Sequence, residues 1–213
     1  MAGLENTRTE DLYFDRSRND VLSLLPAGFQ KTLDVGCGAG GTAGWLRAHG
    51  ASTLHGIELV EEPAEQARLV MDQVWQGAVE EQLPHVDGPY DAVLCLDVLE
   101  HLADPYAVLS SLREVTKPGG HLLVSLPNAR NLKLAFDLVV RGTFGYTDLG
   151  HRDWTHLRWF TRRDAIAAIE QAGFSVLTTS APPSESALRA RVRSVSIVAE
   201  LTNIQWYFLA QAR

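Results

Sequence analysis

Apolar and polar positions along the chain switch between two periods. Short apolar runs at residues 31–35 (KTLDV), 53–59 (TLHGIEL), 74–77 (VWQG), 90–96 (YDAVLCL) and 121–126 (HLLVSL) read as buried strands. Amphipathic stretches lie between them. A first helix ends over residues 21–25 and is broken by Pro26-Ala27-Gly28. A second runs from about Thr42 to His49 and stops at Gly50, as helices often stop at a glycine. Residues 63–71 form the next, with Pro63 in its first turn, and residues 105–115 another. Lys117-Pro118-Gly119-Gly120 reads as a turn feeding the fifth strand. Beyond it the alternation changes character. Residues 128–141 fit an amphipathic helix, and residues 142–159 are aromatic and polar with little periodicity. Thr161 and Asp164 cap a helix that ends at Gly173. Residues 174–179 then read as a strand, 182–186 as a loop and 203–212 as a last strand. Alternating strands and helices predict an α/β fold, doubly wound with helices on both faces. Seven strands are expected, the last two forming a hairpin at one sheet edge.

The chain has 213 residues, enough for one domain with a sizeable core, so a single domain over 1–213 is expected. Residues 1–28 would form an N-terminal helix or lid, with Tyr13, Phe14 and Arg18 over the ligand. Residues 128–160 would insert on the acceptor side. The net charge is −7 and argues against a dedicated nucleic-acid binder. The charge is uneven: residues 1–127 carry 8 Lys/Arg and 19 Asp/Glu, net −11, and residues 128–213 carry 11 and 7, net +4. No apolar run suits a membrane span, and the first ten residues are too polar for a signal peptide, so a cytoplasmic protein is expected. Cys37 and Cys95 cannot by themselves build a disulfide framework or a zinc site.

The first strand runs directly into Gly36-Cys37-Gly38-Ala39-Gly40-Gly41. Glycines at a strand-to-helix turn allow unusual φ angles and close approach of a ligand to the backbone. Gly36, Gly38 and Gly41 also satisfy G-x-G-x-x-G, which keeps an NAD-dependent oxidoreductase open as an alternative. Asp34 speaks against that alternative, because an acid at the end of the first strand repels a pyrophosphate and suits a ligand carrying an amine and a sulfonium. Glu58, 22 residues after Gly36, ends the second strand at the same crevice, where a carboxylate can accept from ribose hydroxyls.

Taken together, LDVGCGAG (33–40), Glu58, YDAVLCLDVLEHLADP (90–105) and KPGG (117–120) resemble class I S-adenosylmethionine-dependent methyltransferases over almost the whole chain. The resemblance implies strand order 3-2-1-4-5-7-6 with strand 7 antiparallel. It also implies that S-adenosylmethionine is the cofactor and S-adenosylhomocysteine the product. Gly36, Cys37, Gly38 and Gly40 would face the methionine portion, Asp34 its amino group, and Glu58 and Leu59 the ribose side. Asp97 would lie near the sulfonium. Where the family often has Gly-Asp after the third strand, this chain has Gly77-Ala78, so adenine would rely on the backbone of Ala78 and Val79. That departure keeps a non-catalytic binding fold open. PNARN (127–131) and FGYTDLGHRDWTHLRWFT (144–161) resemble bacterial methyltransferases associated with glycan or polysaccharide biosynthesis, and imply O-methylation of a sugar or glycan-linked molecule. Methylation of a phenolic or quinone-pathway intermediate is the alternative.

A hydroxyl acceptor is a poor nucleophile until its proton is taken, and His101, following the fourth strand, is the first candidate base, with His156 of the later aromatic segment as a second catalytic candidate. Asp97, Glu100 and His101 form D-x-x-E-H, with His151 and His156 lying 50 and 55 residues after His101. This is similar to the E-x-x-E-H of small-RNA 2′-O-methyltransferases and of ubiquinone-pathway O-methyltransferases. It makes Asp97, Glu100, His101 and His156 candidate ligands of a divalent metal. The structural reading of the same residues is that Glu100 and His101 cap the following helix while Asp97 touches only cofactor. Phe144, Tyr146, Trp154 and Trp159 could stack on a sugar or aromatic acceptor, or simply pack. Arg130, Lys133, Arg141, Arg152 and Arg158 could bind an anionic acceptor, or form a solvated face.

Overall fold

The computed structural model describes residues 18–148, 150–182 and 196–213. Tyr13, Phe14, residues 183–186 of the expected loop, and Arg189, Arg191 and Arg193 lie outside them.

Seven strands form one sheet: β1 (Lys31–Val35), β2 (Thr53–Glu58), β3 (Gln73–Gln76), β4 (Tyr90–Leu96), β5 (Thr116–Pro127), β6 (Phe174–Ser180) and β7 (Gln205–Ala212). Their order is β3-β2-β1-β4-β5-β7-β6. β1 to β5 pair in parallel, and β7 runs antiparallel to both β5 and β6. The helices among the described residues are α1 (Asn19–Leu22), α2 (Ala43–Ala48), α3 (Glu61–Ala67), α4 (Val79–Gln82), α5 (Pro105–Val115), α6 (Leu132–Val139), α7 (Arg162–Gln171) and α8 (Ser196–Thr202).

The central strands are apolar on both faces because helices cover both sides. β4 divides its side chains by the period of two. Val93 and Cys95 join a core with Leu33, Val35, Val108, Leu109, Leu112 and Ile169, whereas Ala92 and Leu94 join the opposite core with Val21, Leu22, Leu46 and Leu54.

Several local expectations need correction. Lys117–Gly120 is not a turn ahead of β5 but a bulge inside it: Tyr90 pairs with Thr116 and the next pair is Ala92 with His121. Gly119 has φ +77°, and a Cβ on Gly120 would sit 2.8 Å from the Lys117 carbonyl, so Pro-Gly-Gly makes the bulge without ending the pairing. The helix expected over 128–141 is confined to Leu132–Val139, where Asn131 caps it by accepting from the Lys133 amide (3.0 Å). α8 and the short α4 were not foreseen, and the last strand starts at Gln205 rather than at 203, since α8 ends only at Thr202 and Asn203 and Ile204 make the connection. Asn128 explains how α8 is held: its Nδ2 donates to the carbonyls of Glu200 (2.8 Å) and Asn203 (2.9 Å). The Glu200 carboxylate in turn receives Arg130 (2.7 Å) and Arg162 (2.6 Å). The PNARN segment is therefore a structural anchor as well as a motif.

Candidate functional site

The glycine loop leaves β1 with Gly36 N and Cys37 N both donating to the Ile57 carbonyl of β2 (2.8 and 3.1 Å), so the turn is fixed to the neighbouring strand. Gly36 and Gly40 have φ +71° and +83°, and a Cβ at either would fall within 2.6 Å of a valine methyl, Val98 or Val70. Only glycine satisfies both the angle and the space. Cys37 enters by its backbone alone; its thiol is buried, and burial pushes its pKa up, so it is a packing group. The Cys95 thiol is likewise buried and pushed up by burial.

Glu58 is buried with both carboxylate oxygens directed at the loop. One accepts from Gly38 N (2.8 Å) and the other from Val60 N (2.9 Å). Each oxygen retains lone-pair capacity for a diol. Leu59, next in sequence, is 63% exposed and offers apolar surface at the same strand end. Ala78 is extended, with φ −62° and ψ 139°, and leads into α4, where Val79 is buried.

Asp34 is 2% exposed and accepts from the Thr42 hydroxyl. Burial pushes its carboxyl pKa up to about 7, against the Thr42 hydrogen bond and with help from the Glu58 charge; Arg18 acts in the lowering direction. A cationic amine beside it would favour the ionised form. A carboxyl whose folded pKa lies above its unfolded value stabilises the fold fully below that unfolded value and gives this up as pH climbs through the folded pKa. Ligand-free wild type should therefore lose stability between about pH 4 and pH 7 relative to Asp34→Asn. Melting temperatures of the two proteins across that range test this; a constant gap removes the titration from Asp34.

Asp97 follows β4 with φ +57°, a conformation uncommon outside glycine. Its carboxylate is fully engaged, accepting from Arg18, Gln205 and the Ser125 hydroxyl (2.8 Å). Arg18 also donates to Ser125 Oγ (3.1 Å), so the one described residue of the three expected over the ligand is tied to the end of β4 and to β5.

Glu100 and His101 occupy a 3₁₀ turn, Leu99–His101, and do not cap the next helix. Asp104 does that, accepting from the Tyr106 and Ala107 amides (3.1 and 3.0 Å). The Glu100 carbonyl accepts from Leu157 N (2.8 Å) and Arg158 N (3.0 Å), which draws the aromatic insertion onto this turn. As a result His156 lies against His101, ring centroids 4.8 Å apart at 72°. Glu100, His101 and His156 each present a ligand atom, all within 4.8 Å of one another. Glu100 Oε2 and His156 Nδ1 are buried without a hydrogen-bond partner. Burial, then the Asp97 charge, pushes the Glu100 carboxyl well above its ordinary range; burial, then His101, pushes the His156 imidazole down. Orphaned buried polar atoms of this kind call for a missing partner, and one carboxylate with two imidazoles suits a divalent cation. Asp97 stands outside this trio. His151 is not part of it either.

The arginines considered for an anionic acceptor already have partners. Arg141 and Arg152 reach Asp137 (3.0 and 3.4 Å), Arg130 reaches Glu200, and Arg158 donates to the carbonyls of Leu157 and Ala103. Among the aromatics, Phe144 packs on Tyr146 and Trp159, while Tyr146 and Trp154 remain 63% and 66% exposed. Sequence reasoning missed Asp153 and Thr155. The turn signal Asp-x-Thr was present, and Thr155 N donates to Asp153 Oδ1 (2.9 Å).

A sheet of this order, with glycines at the first crossover and an acid ending the second strand, defines a nucleotide-binding α/β fold of the methyltransferase kind. A family model described as a methyltransferase domain matches residues 12–179. The chain belongs to this family, the class I S-adenosylmethionine-dependent methyltransferases. It is 39% identical over 110 residues to a ubiquinone biosynthesis O-methyltransferase of Vibrio parahaemolyticus, covering 49% of this chain and 46% of the relative. With the enzyme of the same name from Acinetobacter baylyi it shares 35% over 117 residues, 52% and 49% of the two chains. The chain thus spans about half the length of the curated relatives it matches. Among solved structures, magnesium protoporphyrin IX methyltransferase from Synechocystis, with bound S-adenosylhomocysteine, superposes at TM-score 0.62 with 19% identity, over 99% of this chain and 84% of that one. An S-adenosylmethionine-dependent methyltransferase from Mesorhizobium loti gives 0.63 with 17% identity, over 91% and 96%. These structures share the fold. Among the described residues no helix is long and apolar enough to cross a membrane.

Proposed function

We propose that this protein transfers a methyl group from S-adenosylmethionine to a ring hydroxyl of a phenolic or quinone-type small molecule, with Glu100, His101 and His156 holding a divalent cation. The observation that carries the reading is the convergence of those three side chains, two of them with orphaned buried atoms. The sugar acceptor expected from the 127–131 and 144–161 segments gives way here: the names of the curated relatives favour the phenolic alternative, and the arginines that would hold an anionic sugar are engaged elsewhere.

In this reading the backbone of Gly36, Cys37, Gly38 and Gly40 holds the methionine portion. Asp34 takes its amino group, Glu58 the ribose hydroxyls with Leu59 beside them, and the backbone of Ala78 and Val79 the adenine. Asp97 lies near the sulfonium. A bound cation would lower the pKa of an acceptor hydroxyl and so make it nucleophilic near neutral pH. The acceptor oxygen then forms its bond to the methyl carbon as the carbon–sulfur bond breaks and its electron pair returns to sulfur. The hydroxyl proton is lost to the solvent. Positioning for in-line attack supplies much of the rate, since the donor is already activated. The insertion over 128–160 forms the acceptor side, where exposed Trp154 offers a face for a flat ring.

The test is incubation with S-adenosylmethionine, a divalent cation, and parallel panels of catechols and nucleotide sugars, read by mass spectrometry. A catechol product one methyl heavier is expected; methylation confined to the sugar panel overturns the acceptor assignment. Trp154→Ala should raise the KM for the methylated acceptor severalfold and leave the KM for S-adenosylmethionine unchanged. Equal losses in both would remove Trp154 from the acceptor side.

A further inference from the structure

We infer that Asp153 and Thr155 are positioning residues that fix the tautomer of His101, keeping the hydrogen on Nδ1 and the lone pair on Nε2. Asp153 is buried, and its Oδ1 accepts from the Thr155 backbone amide (2.9 Å) and from the Thr155 hydroxyl (2.6 Å). The second distance is that of a hydroxyl donating to a charged carboxylate. A hydroxyl has one hydrogen to give. With it committed to Asp153, Thr155 Oγ1 can only accept on its other side, where His101 Nδ1 lies 3.0 Å away. Nδ1 therefore carries the hydrogen. The reverse assignment would leave the hydroxyl oxygen and a carboxylate oxygen 2.6 Å apart with no hydrogen between them.

The arrangement is held from both ends. His156 N donates to the Asp153 carbonyl (3.1 Å), so one turn carries the carboxylate, the hydroxyl and the second histidine. The bonds of Leu157 N and Arg158 N to the Glu100 carbonyl bring that turn to a histidine 54 residues earlier. Nε2 is the atom that either a cation or an acceptor proton requires, and which ring nitrogen is free is set by the hydrogen bond of the other. The catalytic consequence rests on the role proposed above for His101. The tautomer does not, so the two can fail separately.

The experiment uses the full chain, ¹⁵N-labelled at histidine, treated with EDTA and held well above the usual imidazole pKa of ~6.5. Two-bond ¹H–¹⁵N correlation reports which ring nitrogen is protonated, and a His101→Gln spectrum assigns the residue. Wild type and Thr155→Ser should both show the Nδ1–H form at His101. Thr155→Val, which keeps the shape and loses the hydroxyl, should shift the ratio toward Nε2–H by roughly 2–10-fold, the range of one net hydrogen bond. Asp153→Ala should shift it the same way, because the freed hydroxyl can then donate to Nδ1. An Nε2–H form in the wild type overturns the inference, as does an unchanged ratio in both variants. Should either variant lose the cross-peaks of the other histidines through misfolding, the wild-type and Thr155→Ser spectra still decide.

Discussion

His101→Ala should lower kcat ~10²–10⁴-fold, the usual contribution of a positioned proton-transfer group, while S-adenosylhomocysteine affinity stays near the wild-type value. The separation is expected because the proposed cofactor contacts lie in the loop after β1 and at the end of β2, where Glu58 holds the Gly38 and Val60 amides, whereas His101 sits in the turn after β4, against His156. EDTA should produce the same loss in the wild type if the trio holds a cation, and Glu100→Gln and His156→Ala should share it. Glu100→Gln is the sharper of these two, since it keeps the shape of a buried side chain whose Oε2 lacks a partner and removes the capacity for charge together with one acceptor oxygen. A severe His101→Ala combined with insensitivity to EDTA would leave His101 as a simple base and end the metal assignment. Near wild-type turnover in His101→Ala would end both roles, and positioning alone would carry the reaction.

Glu58→Ala should weaken S-adenosylhomocysteine binding by ~1–3 kcal/mol, the range for a lost charge-assisted hydrogen bond or a stranded buried partner. Two effects add. The ribose loses its acceptor, and the amides of Gly38 and Val60 lose theirs, so the loop that faces the ligand is less well fixed. Glu58→Gln should fall between, because its single side-chain oxygen can accept from one of the two amides. Calorimetric affinity equal to wild type in Glu58→Ala would take Glu58 out of the cofactor site. A melting curve run alongside distinguishes a loosened loop from a general loss of fold.

The glycine loop and the position of Glu58, which make up the proposed cofactor half of the site, were legible because their information is local. A βα crossover has few solutions in backbone angle, and Gly36 and Gly40 advertise theirs in the residue type. Glu58 follows from strand register, since the residue ending β2 must lie beside the loop that ends β1. Asp97, also read as cofactor-side, was placed in chain position but not in environment. Its partners Arg18, Ser125 and Gln205 come from 79, 28 and 108 residues away, and no local pattern announces them.

The chain's alternation of apolar runs and amphipathic stretches, together with its glycine loop, determined the α/β architecture, because strand and helix periods are short-range properties of the backbone. The antiparallel β7 was implied by the resemblance, and it agrees with the edge hairpin read from the two late strands. What the tertiary structure alone decided was which of the candidate ligands come together. D-x-x-E-H offered three candidate ligands in the turn after β4 and two distal histidines. The folded chain selected Glu100, His101 and His156 from among them, through two backbone hydrogen bonds from Leu157 and Arg158 to the Glu100 carbonyl. Those bonds join segments more than fifty residues apart. Long-range pairing of that kind depends on how α6 and the insertion pack rather than on any periodicity, so only the fold could settle which histidine faces His101.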